Sequence, residues 1–342
     1  SNFKHILIEK HPDIIKLGVL SEVDIEGKKV GVFTDGSNAV SERRGAGIAV
    51  FSASSLIFEI ENGQTKFMNK YVLTPDVCFL ILVPRFYVGT RANNIMKAME
   101  LITTTYMIQN NNVDFAVLDG SYLSTLLSAR WGIEHLYHDV YSIFTGYFEK
   151  LTINSKEVED QFIDFCDTIS DATLKILREN IFDGVSEPKS IINRFLSSYV
   201  TNVGNIFDSV EEKFLIPEEG RISLMNFIAM FLEINFMMES LRILLDTAKR
   251  RKIPVMWLNK EPESRVLTKK LDDKLFRMFT DAFALDFSLS DGEYLTHIGQ
   301  LEVTASGKYV SKKARIKSLR TAAHSVIPEI ADEIYGRYGL YG

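Results

Sequence analysis

Apolar residues recur along the chain with two different periods, and the change of period predicts its organisation. From Lys28 to about Phe86 the pattern is strand-like: KKVGVFTDGS, GIAVFSASS, SLIFEIENGQTKFMNKYVL with a Glu-Asn-Gly turn inside it, and VCFLILVPRF. These segments predict a meander of about four strands. Between Thr90 and Gln109 the period lengthens, with Ala92, Ile95, Met96, Met99, Ile102 and Tyr106 at helical spacing. A short apolar strand, VDFAVLDGS, follows, bounded by three asparagines in front and Gly-Ser behind. Residues 122 to 250 then read as helix almost throughout, with breaks near Asn154, at Gly184 to Pro188 and at Pro217 to Gly220. Strand character returns at IPVMWLN (253 to 259), followed by a helix over 269 to 280, strands AFALDFSL and YLTHIGQLEVTA, and a terminal helix from about Ile316 to Tyr335.

Two β-rich blocks flanking a helical block predict one mixed α/β domain split by a large helical insertion. The expected divisions are 1–121, 122–250 and 251–342. Eight prolines and no Ser/Gly-rich tract leave no linker to mark a boundary, and there is no internal repeat. The most apolar stretch, MNFIAMFLEINFMM (225 to 238), is interrupted by Asn226, Glu233 and Asn235. It falls short of the ~20 apolar residues of a membrane span and reads as a buried helix, so no membrane partner is expected.

Composition adds boundaries. Of 342 residues, 46% are apolar and 25% charged, which excludes disorder. The net charge of -6 means that a nucleic-acid partner must meet a local basic patch rather than a cationic surface. Cys78 and Cys166 sit in apolar stretches as buried thiols do, and two cysteines build no disulfide framework. The opening SNFKHILIEKHPD carries charge throughout and lacks the apolar run of a signal peptide. A cytoplasmic location is the expectation.

The chemistry lies in a repeated tripeptide. Asp35-Gly36-Ser37 is expected to close the first strand and Asp119-Gly120-Ser121 the strand after the first long helix. Each reads either as an ordinary turn or as a carboxylate delivered to a sheet edge, where glycine allows close approach of phosphate. Glu100 lies at the margin of the helical stripe, about 100° from its centre. It reads either as an exposed solubilising residue or as a third acid facing the strand ends. Two strand-end aspartates and a helix glutamate offer the oxygen donors that Mg²⁺ or Mn²⁺ takes. No phosphate-binding Gly-x-x-x-x-Gly-Lys-Ser/Thr loop is present, so the chain carries no nucleotide-hydrolysing motif of that kind.

Positive charge gathers in SGKYVSKKARIKSLR, with Lys308, Lys312, Lys313, Arg315, Lys317 and Arg320 and no acid. Arg43 and Arg44 follow the first Asp-Gly-Ser, and KRRK spans 249 to 252. Such clusters are either solvated faces or sites for a phosphate backbone, and three of them near the inferred site favour the latter. His135 and His138, three apart with no third ligand evident, read as structural, as does His297; His5 and His11 add little.

The order of elements, a meander whose first strand ends in Asp, a helix with Glu, then a strand ending in Asp, is that of an RNase H-like core. In VGVFTDGS, ELITTTYMIQNNNVDFAVLDGS and WLNKEPESR the chain resembles the NurA family of archaeal and bacterial nucleases. That family works with the HerA hexameric ATPase in DNA end resection and, in some systems, phage defence. The resemblance implies an RNase H-like mixed sheet flanked by helices, and a DNA nuclease with 5′ to 3′ exonuclease and single-strand endonuclease activity. It implies Asp35, Glu100 and Asp119 as ligands of Mn²⁺ or Mg²⁺, Lys260 beside the substrate phosphates, and His324, in LRTAAHSVIPEI, completing the metal site. The tyrosine usual ahead of that histidine has no obvious counterpart, Tyr309 being too distant, and Asp281 either matches a family acid or ends a helix. A HerA-type ATPase and a second copy of the chain are the implied protein partners. Two other readings stay open: another RNase H-like enzyme, a resolvase or an RNA-cleaving nuclease, and a non-catalytic adaptor whose acids merely form turns.

Overall fold

The computed structural model describes residues 15–19, 27–44, 46–62, 64–77, 79–82, 87–120, 140, 155–214, 218–258, 278–280, 283, 286, 289 and 293–297. Its main sheet has six strands: β2 (Lys29–Arg43), β3 (Ala46–Glu61), β4 (Gln64–Leu73), β5 (Phe79–Leu82), β6 (Phe115–Asp119) and β7 (Val255–Leu258). The order is β4-β3-β2-β6-β7, with β5 also on β3. β3 runs antiparallel to β2, β4 and β5, whereas β6 lies parallel to both β2 and β7. A separate antiparallel pair joins β1 (Ile15–Val19) to β8 (Glu293–His297).

The meander differs from its predicted form in two ways. GIAVFSASS and SLIFEIE are one continuous sixteen-residue strand, β3, whose alternating burial runs through the serines without a break. Ser55 is fully buried and bonds Thr34 across the strands at 2.6 Å, so a hydroxyl pair sits inside the sheet where two separate segments are expected. Both β4 and β5 then lie along β3, β5 beside its first residues and β4 beside the rest. The Glu-Asn-Gly turn is as expected, with Asn62 in the left-handed region at φ 51°.

Helix α1 (Val88–Asn110) crosses between β5 and β6, close to its predicted span. It packs on β2 and β3 on one side and on the helical block on the other. Burial therefore surrounds it, from Val88 to Ile108, which explains why its apolar stripe is so broad. The helical block comprises α2 (Ser155–Ile176) running into a π-helical turn (Leu177–Ile181), α3 (Pro188–Lys213) and α4 (Arg221–Arg251). The predicted break at 184 to 188 is present: Glu187 caps α3 through Ser190 N–H at 2.7 Å, with Pro188 at the first helical position. The stretch 225 to 238 lies within α4, buried continuously from Asn226 to Leu241. Among the described residues no helix is long and apolar enough to cross a membrane.

One hydrophobic cluster spans the sheet, α1 and the helical block. In the segment AFALDFSL, Phe283 and Asp286 have helical rather than extended backbone. Phe279 stacks on Phe283, four residues on, at 4.8 Å, a spacing that suits a helix turn and not a strand. The expected break near Asn154 and the terminal helix from 316 lie outside the described residues, as does most of the expected helix 269 to 280.

Candidate active site

The two Asp-Gly-Ser tripeptides occupy different structural positions. Asp119 ends β6, and Gly120 takes φ +93°, a conformation that glycine adopts without strain. Asp35-Gly36-Ser37, by contrast, does not close its strand: β2 continues to Arg43, paired residue for residue with β3. Gly36 serves close approach rather than a turn. A Cβ there would meet Glu100 Oε1 at 2.6 Å and Met96 Cγ at 2.9 Å.

The approach of α1 has a physical cause in the unequal lengths of neighbouring strands. The β2–β6 ladder ends at Thr34 and Leu118, so β2 runs on past the end of its parallel neighbour. In the notch that this leaves, Gly36 N–H donates to Glu100 Oε1 at 2.7 Å. The helix carboxyl thus supplies an acceptor to a strand amide beyond the ladder. Glu100 is 6% exposed, which overturns its reading as a solubilising surface residue.

Strand alternation distributes the acids. Because Gly36 faces α1, Asp35 leaves the sheet on the opposite face. Asp119 stands one residue beyond Leu118, as Asp35 stands one beyond Thr34, so the two aspartates are neighbours on that face. Glu100 senses both. Burial pushes its carboxyl up to about 8, the Gly36 N–H bond opposes the rise, and the charges of Asp35 and, more weakly, Asp119 add to it. Lys97, one turn earlier on α1, acts in the lowering direction. The sequence reading missed this lysine; its i, i+3 spacing from Glu100 was the available signal.

Three carboxyl groups provide the oxygen donors that hard divalent cations take, and their chemistry fits such an ion. Among the described residues no group of three or more His, Cys, Asp or Glu side chains is disposed to hold a metal ion.

The basic clusters separate. Arg43 lies eight positions beyond Asp35, about 26 Å along the strand, and Arg44 is exposed in the hairpin that follows. KRRK is not near the acids: it ends α4 just before β7, whose first residue pairs with Ala116 at the opposite end of β6 from Asp119. Its Arg251 caps α1, donating to Gln109 O at 2.5 Å and Asn111 O at 3.5 Å. Lys260, His324, Lys308, Lys312, Lys313, Arg315, Lys317 and Arg320 lie outside the described residues, with Asp281, Tyr309, Cys78, His5, His11, His135 and His138. Of His297 only the backbone, in β8, is described, and Cys166 is buried with its thiol raised by desolvation.

A buried ionic network ties α1 to the helical block. Arg91, fully buried, meets Glu233 of α4 at 2.9 Å, Tyr199 of α3 at 2.8 Å and Asn226 Oδ1 at 3.1 Å. Tyr199 also donates to Glu233. Glu233 and Asn226, which interrupt the apolar stretch of α4, are thus partners of an arginine 142 and 135 residues away in sequence.

No family model matches the chain, and no curated protein does. Solved structures are similar to it at low identity. The NurA nuclease from Sulfolobus solfataricus is 12% identical over 95% of this chain and 80% of that one, with a TM-score of 0.37. A NurA structure with manganese is 14% identical over 81% of this chain and 69% of that one, at 0.35. A NurA structure bound to dAMP and manganese is 12% identical over 64% of this chain and 56% of that one, at 0.32. None of these likenesses assigns a role to a residue of this chain.

Proposed function

We propose that the chain is a metal-dependent DNA nuclease that hydrolyses phosphodiester bonds, with Asp35, Asp119 and Glu100 holding Mn²⁺ or Mg²⁺. The observation that carries the reading is the notch beside β6, where Glu100 is buried against Gly36 N–H and its pKa is raised further by both aspartates. A buried carboxyl beside two others is costly without a counter-charge, and such arrangements cluster at functional sites. When bound, a divalent ion lowers the pKa of a water to make a nucleophile and neutralises charge on the leaving oxygen. Asp35 and Asp119 present their carboxylates on one sheet face. Glu100, its carboxyl pushed up to about 8 by burial, would hold such an ion in its ionised form, with Asp35 and Asp119.

The finer features belong to the same proposal: an RNase H-like core, Lys260 at the phosphates and His324 completing the metal site. Arg43, Arg44, Lys312, Lys313, Arg315, Lys317 and Arg320 would hold the DNA backbone. The enzyme would be a cytoplasmic homodimer working with a HerA-type hexameric ATPase, with 5′ to 3′ exonuclease and single-strand endonuclease activity in end resection, repair or phage defence. One competing reading is a DNA-binding adaptor without catalysis, in which the acids serve only the local backbone, as Glu100 does in accepting from Gly36 N–H. The test is degradation of end-labelled single- and double-stranded DNA with Mn²⁺, Mg²⁺ or chelator, using the native chain, Asp35→Ala and Asp119→Ala. Metal-dependent cleavage lost in both variants is expected. Binding without cleavage in every metal, indifferent to Asp35→Ala, establishes the adaptor instead.

A further inference from the structure

A cavity of about 140 Å³ lies in the helical block, between α1, α4 and the connection that leads from the π-helical turn to α3. Ile102 and Thr105 of α1, Ile191 of α3 and Ser240 of α4 form its buried floor. Phe182 and Val185 wall it from the connection, both partly buried, while Gln109 and Ser186 stand exposed at its mouth. Ile102 follows Glu100 by two residues, about 200° around the helix, so the cavity lies on the side of α1 away from the acids. Its wall is held from both sides: Arg194 Nη1 donates to Asp183 O at 3.2 Å, and Tyr71 of β4 donates to Glu187, the cap of α3, at 3.1 Å. Gly184, at φ +63°, makes the turn between them. The cavity is thus preformed, as small-molecule sites usually are.

We infer that this cavity binds an uncharged molecule of a single aromatic ring carrying one hydroxyl or amino donor, a phenol or an aniline. The inference is independent of the nuclease reading. Four properties of the cavity select this class. A cavity of roughly 150 Å³ accommodates one benzene ring, which sets the size. None of the lining residues is charged, so an ionised ligand would give up its hydration without a counter-charge. Thr105 Oγ1 donates to Leu101 O at 2.7 Å and Ser240 Oγ donates to Phe236 O at 2.6 Å. With both hydroxyl protons engaged by the backbone, what the floor offers is oxygen lone pairs, and a donor on the ligand satisfies them. Phe182 lies tilted beside Phe236 at 5.7 Å, and the isoleucines face it across the cavity. A flat ring fills that space with an aromatic contact on one side and methyl groups on the other.

The experiment titrates phenol into the full chain carrying labelled isoleucine methyl groups, followed by NMR, with fluorobenzene, cyclohexanol and benzoate as comparison probes. Phenol is expected to bind with a Kd of about 1 mM and to shift the methyl signals of Ile102, Ile191 and Ile243, which line the cavity. Cyclohexanol and benzoate should bind at least about tenfold more weakly. Thr105→Val combined with Ser240→Ala removes both acceptors at little change of volume. It is expected to weaken phenol about 3–10-fold and to leave fluorobenzene unchanged. Val185→Phe fills the cavity from its wall and should abolish binding of every ring, with a urea unfolding curve to show that the variant folds; the methyl shifts of the native chain decide the matter without it. Methyl signals unmoved by phenol at about 20 mM, or shifts confined to isoleucines elsewhere, overturn the inference. Benzoate or cyclohexanol binding as tightly as phenol does so too, and so does an equal loss of phenol and fluorobenzene in the paired variant. No readout involves DNA or metal, so absence of nuclease activity leaves the cavity's assignment standing, and failure of the cavity to bind leaves the nuclease reading standing.

Discussion

The Glu100 carboxyl makes the stability of the metal-free protein depend on pH in a direction opposite to that of most acidic groups. Its pKa stands at about 8 in the folded chain against an ordinary 4.5, so the folded state holds a proton that the unfolded chain has released. Stability from this group is complete below about pH 4.5 and is lost as the pH rises through about 8, because the folded state binds more protons across that window. The slope is about 1.4 kcal/mol per pH unit, and over the whole window it amounts to at most about 5 kcal/mol. Glu100→Gln keeps an oxygen for Gly36 N–H and cannot ionise.

Urea unfolding of both proteins in chelator at pH 5.5 and 7.5 isolates the effect, since every other titrating group is common to the two. The native chain is expected to lose about 2–3 kcal/mol relative to Glu100→Gln between these two values. Saturating Mn²⁺ should flatten the difference, because a cation at the notch favours the ionised form. Parallel stability curves for the two proteins in chelator would refute the burial and charge argument for Glu100, and a native curve that rises relative to the variant would reverse its sign.

Two further perturbations test the elements that hold α1 in place. Arg91→Met leaves the Glu233 carboxylate buried without its cation and is expected to cost about 3–5 kcal/mol in denaturant unfolding; adding Glu233→Met should restore much of that, and an undiminished loss in the double variant would show that packing rather than charge matters there. Gly36→Ala drives a methyl into Glu100 and Met96 and should cost about 1–3 kcal/mol by thermal unfolding, with a smaller cost in a Glu100→Ala background, where part of the obstacle is gone.

Much of the architecture was legible in the residues. Periodicity located α1 to within two residues at its start and one at its end, and the apolar stretch of α4 read correctly as buried. Local pattern failed where a partner distant in sequence changed its meaning. Serines at 52, 54 and 55 read as dividing two strand segments, yet Ser55 is satisfied by Thr34 inside the sheet and β3 runs through them. Asp35-Gly36-Ser37 looks like a turn, and only the approach of α1 shows that its glycine makes room for Glu100.

The sequence by itself determined which residue types are available: three acids in β-α-β order, a helical insertion without linkers, and an apolar stretch broken by Asn226 and Glu233. Tertiary structure alone decided their use. A strand that outruns its parallel neighbour exposes an amide, and a helix 64 residues on in sequence supplies the carboxyl; alternation then sets both aspartates on the opposite face, and a buried arginine takes up the charge of Glu233 within α4. Hydrophobic period depends on each residue's own segment and can be read along the chain. Desolvation, charge coupling and the satisfaction of backbone groups depend on which segments meet, and that information exists only once the chain has folded.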